Sequence, residues 1–221
     1  MCRPASFVLT KERVFWSKKT DSHEDIIEEF GLQESSTRGI TILRVEITPP
    51  FSDFSLPPRK WEFRFDQDLL PEWANDEKDE RRTRIALRQW HKQKLAYDSI
   101  KKIYKDQQVY AYGSATVNAY DSATVNAYDS ATVEACDSAT VNAHGSATVK
   151  AFDSATVKAY GSATVKAFDS ATVKAYGSAT VKAFDSATVH TYSINPQILL
   201  HGTLAVHIDR SENKAKCKIG K

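Results

Sequence analysis

Cysteine, methionine and glycine are scarce in this chain, at 3, 1 and 8 of 221 residues. The three cysteines, Cys2, Cys136 and Cys217, are odd in number and far apart, which suits a reducing compartment and gives no disulfide framework. Long apolar runs are missing, so no transmembrane helix is expected. The opening residues Met1–Ser6 lack the apolar core of a secretory signal, and a cytoplasmic location is expected. No sign of charge dominates either: 30 Lys and Arg meet 28 Asp and Glu, a net charge of +2, which argues against a dedicated nucleic-acid carrier. There is no Gly-rich phosphate loop, nucleophile elbow or paired catalytic acid. The six histidines (23, 91, 144, 190, 201 and 207) show no metal-ligand spacing with cysteine or carboxylates. Neither an enzymatic activity nor a cofactor or metal is expected.

What the chain does contain is a repeat. Residues 114–193 are ten consecutive octads on the template Ser-Ala-Thr-Val-x-Ala-aromatic-Asp/Gly, beginning at Ser114 and degrading by Ser193. Alternation by two places Ala, Val and Ala on one face of a strand and Thr, x and the aromatic on the other. Position x is Asn, Glu, Lys or His, so its face meets water and the Ala-Val-Ala face turns inward. Gly and Asp punctuate the strands as turn residues. A period of sixteen lies over the period of eight. Tyr120, Cys136, Phe152, Phe168 and Phe184 form one column, while Tyr112, Tyr128, His144, Tyr160, Tyr176 and Tyr192 form the other. That pattern predicts a flattened β-solenoid (a β-helix) with two octads in each coil of about 16 residues. Five such coils would span roughly 24 Å. Three octads per coil, a triangular prism, would scramble the columns.

The flanks are expected to cap this array. Residues 1–108 read as a small α+β domain. A hairpin spans Phe7–Thr10 and Arg13–Trp16, and Ser22 opens a helix with Asp25 completing a capping box. That helix turns Ile26, Ile27 and Phe30 to the core and stops at Gly31. Strands follow at 40–47 and 61–65. A charged helix then runs from Asn75 or Asp76 to Leu95, extending at most to Tyr104, with Ile85, Leu87, Trp90 and Leu95 as its apolar face. Residues 109–209 are assigned to the solenoid and its cap, with Leu204, Val206 and Ile208 in the Ala-Val-Ala places of a closing strand. Residues 210–221 read as a basic disordered tail.

Several constellations merit weighing. The Asp column (121, 137, 153, 169, 185) resembles a calcium-binding roll, but one Asp and one Ser per turn coordinate incompletely, so calcium is not expected and each Asp is read as folding back on its own turn. The five Lys of the repeat are offset by six Asp and one Glu, too balanced for a phosphate track or a DNA mimic. The Thr ladders share their faces with Lys and Tyr, unlike an ice-binding plane. Cys136, at an otherwise aromatic position, reads as a packing residue. The basic residues Arg81, Arg82, Arg84, Arg88, Lys92 and Lys94 make a solvated helix face, a phosphate-contacting face, or a lid over the solenoid's first coil. The aromatic columns stand out most. By parity they point outward, more apolar surface than a monomer usually shows. Simple stacking, a partner-binding seam at Tyr120, Cys136, Phe152, Phe168 and Phe184, stacking on nucleic-acid bases, and rings folded inward at the corners are all open.

The helix motif Ser-His-Glu-Asp-Ile-Ile (22–27), the strand ending Arg-Val-Glu-Ile-Thr-Pro-Pro (44–50) and the Ala-Thr-Val-x-Ala-Tyr octads together resemble a group of uncharacterised octapeptide-repeat β-solenoid proteins of bacteria and their phages, over residues 1–193. The resemblance implies no activity and carries over no site residues. It implies a phage or mobile-element accessory factor in a bacterial host cell, such as an inhibitor of host defence. The expected function is thus a non-catalytic interaction protein, a rigid solenoid presenting aromatic ladders to a protein partner or as a homodimer. Nucleic-acid binding through the basic helix 81–94 and the Lys-rich tail is the alternative.

Overall fold

A computed structural model describes residues 5–37, 39–54, 56–212 and 215–220, so Cys2 lies outside the described residues. The chain forms two compact units, Met1–Lys94 and Leu95–Lys221. The expected boundary at 108 therefore moves back, because residues 95–112 already form strands of the solenoid.

The first unit is the expected α+β fold. Its four-stranded antiparallel sheet runs in the order Val14–Phe15, Ser6–Leu9, Leu43–Thr48, Glu62–Phe65. Helix α1 (His23–Glu29) packs Ile26 and Ile27 against Val8 and Ile42. Ser22 caps it, its Oγ accepting from the Asp25 N–H at 3.3 Å. The capping box does not close: the Asp25 carboxylate accepts from Thr20 Oγ1 instead, and the same hydroxyl takes the Ser22 N–H. Phe30 is 43% exposed and belongs outside the core, because the chain turns at Gly31 with φ +59 before that ring can reach inward. Helix α2 (Asp76–Lys94) begins as predicted and buries Leu87 and Trp90, while Ile85, expected in its apolar face, is 59% exposed. It ends at Lys94, short of the extension to Tyr104.

The second unit is a solenoid of seven coils, two more than the octads supply by themselves. Seven strands stack into one sheet; nine stack into the other, and all of them are parallel except the last, Lys216–Ile219. From Ile100 to Ala175 each paired strand residue of these ladders meets the one sixteen positions on: Val117 with Val133, Val125 with Val141. Sixteen per coil holds, and the prism is excluded. The interior is the predicted Ala-Val-Ala stripe, every octad residue of it fully buried from Ala115 to Val189. Such small side chains bury little area per coil, so stability depends on backbone ladders and on every rung having neighbours.

The corner explains the choice between Asp and Gly. The position has positive φ in every described octad turn from Gly113 to Asp185, 52–57° at Asp and 62–64° at Gly. An L-residue there costs roughly 1–2 kcal/mol, which Gly avoids and Asp offsets through hydrogen bonding. The Asp side chains do not fold back on their own turns. From Asp129 onward each carboxylate reaches the preceding coil: Asp137 accepts from the Asp121 N–H (3.1 Å), Asp153 from Asp137 (3.2 Å) and Asp169 from Asp153 (3.1 Å). Ser completes the corner, its Oγ donating to a carbonyl one coil back, as Ser154 does to Asp137. The Asp column is continuous because each turn uses the carboxylate of the next.

Both terminal coils depart from the template. Lys101 occupies a Val place in the first coil, its Nζ donating to the Leu95 carbonyl, and burial lowers its pKa to about 8. At the other end, the register of 17 at Gln197 and 18 at Val206 shows one extra residue in each of two turns. A one-residue slip exchanges the faces of a strand. The first extra residue exchanges the faces at Gln197–Leu200 and the second restores them, so Ala205, His207 and Asp209 take the Ala-Val-Ala places expected for Leu204, Val206 and Ile208, and Leu204 is 68% exposed. Thr191, nearly buried, sits between His207 Nε2 (3.0 Å) and Asp209 Oδ1 (3.2 Å). The tail is not disordered where it is described: Lys216–Ile219 pairs antiparallel with Val206–Asp209 and covers that sheet edge with lysines.

Burial holds the His207 pKa below its ordinary 6.5, with Asp209 opposing and Lys218 reinforcing the shift. Between the folded and unfolded values only the unfolded chain holds the proton, so stability falls as pH drops below about 6.5. His207→Val should flatten this acid slope in urea unfolding between neutral and mildly acidic pH. The effect should stay under about 1 kcal/mol because the ring is partly solvated. An unchanged slope would rule out His207 as its source.

Candidate functional site

The outward face of the solenoid carries five kinds of ladder: Thr, position x, the aromatic, Asp or Gly, and Ser. The two aromatic columns sort to opposite edges, as the sixteen-residue period requires. On one edge Tyr112, Tyr128, His144, Tyr160, Tyr176 and Tyr192 stack in sequence, with centroids 4.7–5.0 Å apart and planes within 13°. On the other, Tyr104 stacks on Tyr120 at 5.2 Å, Cys136 interrupts, and Phe152, Phe168, Phe184 and His201 continue at 4.8–4.9 Å. No ring turns into the core.

Stacking changes what the columns offer. The rings from Tyr120 to Phe184 are half-buried because neighbours cover both faces; only end rings such as Tyr104 (49%) and Tyr192 (39%) are well exposed. The apolar strip is thus narrower than parity alone suggested. It presents ring edges, and a nucleic-acid base has no open ring face on which to stack within the ladder. Burial raises the phenol pKa of Tyr112, Tyr128 and Tyr176, with neighbouring phenols adding to the effect at Tyr112 and Tyr176, so these three phenols stay neutral. The Cys136 thiol is also pushed up, first by burial and then by Glu134, Asp153 and Asp137, which suits packing better than nucleophilic chemistry.

No family model, curated protein or solved structure matches this chain. Its chemistry must therefore be read from its own residues.

The basic helix is largely committed to its own unit. Lys94 is buried (1% exposed), its Nζ 2.6 Å from Asp21 Oδ2 and 2.7 Å from the Thr20 carbonyl. It therefore cannot contact phosphate without unfolding this contact. Arg82 pairs with Asp79 and lies over the Trp73 ring; Arg84 holds Glu80 and the carbonyls of Pro58 and Trp61. Arg81, Arg88 and Lys92 are the exposed members of the set. Among the described residues, no helix is long and apolar enough to cross a membrane.

Two features of the first unit escaped sequence reading. His23, Glu46 and Asp66 bring ligand-type atoms within 4.8 Å of one another. His23 Nε2 lies 3.1 Å from the Val45 carbonyl and Nδ1 3.4 Å from Asp66, while the Arg64 guanidinium binds both carboxylates and already supplies the balancing charge. The group is distributed over a helix start, one strand and the residue after another, so no spacing rule reveals it. An open cleft of about 760 Å³ also lies here, with Leu32, Ile40, Ile42 and Trp73 in its lining and Lys11, Glu12 and Glu72 among its charged groups.

Proposed function

We propose that this chain is a non-catalytic interaction protein whose solenoid docks a protein, either a partner or a second copy, along the Phe/Cys edge. The observation carrying this reading is the sorting of Phe152, Phe168 and Phe184 onto one edge, stacked ring on ring above strands paired in register from coil to coil. A fixed row of apolar ring edges preorganises a contact, so little side-chain entropy is lost on docking. Docking as an accessory factor that blocks a host-defence protein draws its support only from the resemblance of the octads to phage-borne repeat proteins.

Phe168→Asp tests the edge, with Tyr160→Asp on the opposite edge as its control. Both substitutions break a ring stack and should lower stability alike, by roughly 1 kcal/mol. Only Phe168→Asp should abolish association, read by sedimentation and by capture from host extract. Equal behaviour of the two variants would remove the Phe edge from consideration.

A further inference from the structure

Three consecutive coils repeat one order of outward residues around the Phe edge. In chain order these are Lys150, Phe152, Asp153; then Lys166, Phe168, Asp169; then Lys182, Phe184, Asp185. The Lys and Asp are exposed or half-exposed, and the rings between them are half-buried. Each Lys column stacks like charges on adjacent rungs with no acid beside it on its own strand, and the Asp column does the same around the corner. The stacked Lys charges repel within one rod, whereas each of these Asp carboxylates already accepts the N–H of the preceding coil.

We propose that the Phe edge is an isologous interface, in which a second copy of this chain lies parallel to the first about a two-fold axis running along the rods. This rests on the docking reading above and names its occupant. A two-fold along the rod axis reverses the order Lys–Phe–Asp on the facing edge. Lys of one copy then meets Asp of the other, Phe meets Phe, and Asp meets Lys at all three rungs. The match covers these three rungs; one rung earlier Glu134 replaces Lys and would meet Asp137, which limits the strength of the contact there. The competing two-fold, perpendicular to the rods, sets Lys against Lys and Asp against Asp. The Tyr edge offers no equivalent order: after Lys158 and Tyr160 comes Gly161, and after Lys174 and Tyr176 comes Gly177. Charge order therefore selects both the edge and the direction of the axis. Contact along the whole column from Tyr104 to His201, about 30 Å by about 15 Å, buries on the order of 900 Å² in total, with the charge-matched rungs supplying less than half, so a weak, reversible dimer is expected.

The axis makes a further commitment. Cys136 continues the Phe column one rung before Phe152, so it must face Cys136 of the second copy. The test uses the full chain with Cys2→Ser and Cys217→Ser, leaving one thiol. Light scattering should give twice the monomer mass at high concentration and the monomer mass in high salt. A short bis-maleimide should join Cys136 of one copy to Cys136 of the other, because the rings packed between the rods hold the two thiols beyond direct disulfide reach. Replacing Lys150, Lys166 and Lys182 together with Glu should abolish both signals while leaving circular dichroism unchanged, since Glu134 already occupies that column. A chain monomeric at every concentration overturns the proposal, and so does a dimer without the Cys136 cross-link. If the chain stays monomeric while Phe168→Asp still abolishes capture of another protein, the docking edge stands and the second copy falls.

Discussion

Val157→Asp is expected to cut the solenoid's cooperativity at its middle. Val157 is fully buried between Val141 and Val173, one rung to either side. The substitution removes about 1.5–3 kcal/mol of apolar burial and adds a buried carboxylate whose effective penalty is several kcal/mol. Ala lines the rest of the interior, and no polar partner lies among these rungs to take up the charge. In a quasi-one-dimensional array each coil stabilises only its neighbours, so a central defect separates two short stacks. Ile198→Asp, in the partly exposed final coil, should cost far less, about 1–2 kcal/mol. Far-ultraviolet thermal melting and limited proteolysis distinguish the cases: the central variant should yield an early transition and a cut within the repeat. Equal effects at the two positions would mean that the rod does not behave as coupled rungs.

The first unit should be most sensitive at Asp21. Its Oδ2 holds the buried Lys94 ammonium, and its Oδ1 accepts from Trp90 Nε1 at 2.8 Å. Burial pulls the Lys94 pKa down and the Asp21 carboxylate opposes that pull, so the pair is balanced as a unit. Asp21→Ala should therefore destabilise this unit by about 3–5 kcal/mol, the range for a buried pair deprived of one partner. Adding Lys94→Met should recover much of the loss by removing the stranded charge. All four tryptophans, Trp16, Trp61, Trp73 and Trp90, lie in this unit, so fluorescence follows its unfolding separately from the solenoid. If the double variant is no more stable than Asp21→Ala, the lost packing of Lys94, not its charge, governs the site.

The octads made the solenoid legible because strict parity and strict period are both local properties. Ala-Val-Ala facing inward, sixteen residues per coil and the split of Phe from Tyr all follow from counting. The same counting failed at both ends. Lys101 stands at a Val place, yet without a visible octad around it nothing in the sequence marks the first coil. The extra residue near 193–196 reversed parity at Gln197–Leu200 and the one near 201–205 restored it, so His207 faces inward where Val206 was expected to. Boundaries suffer for the same reason: residues 95–108 carry no repeat but inherit solenoid geometry from the coil stacked on them.

By itself, the sequence determined which residues can share a face, because side-chain direction in a strand alternates by covalent geometry alone. It also determined that the corner needs Gly or a tolerant Asp. Tertiary stacking decided the rest. It covered the ring faces that parity had left exposed and sent each Asp carboxylate to the preceding coil. It also lined Lys, Phe and Asp into columns, since which groups become neighbours across a 16-residue gap depends on how coils register, and registration is a property of the assembled ladder.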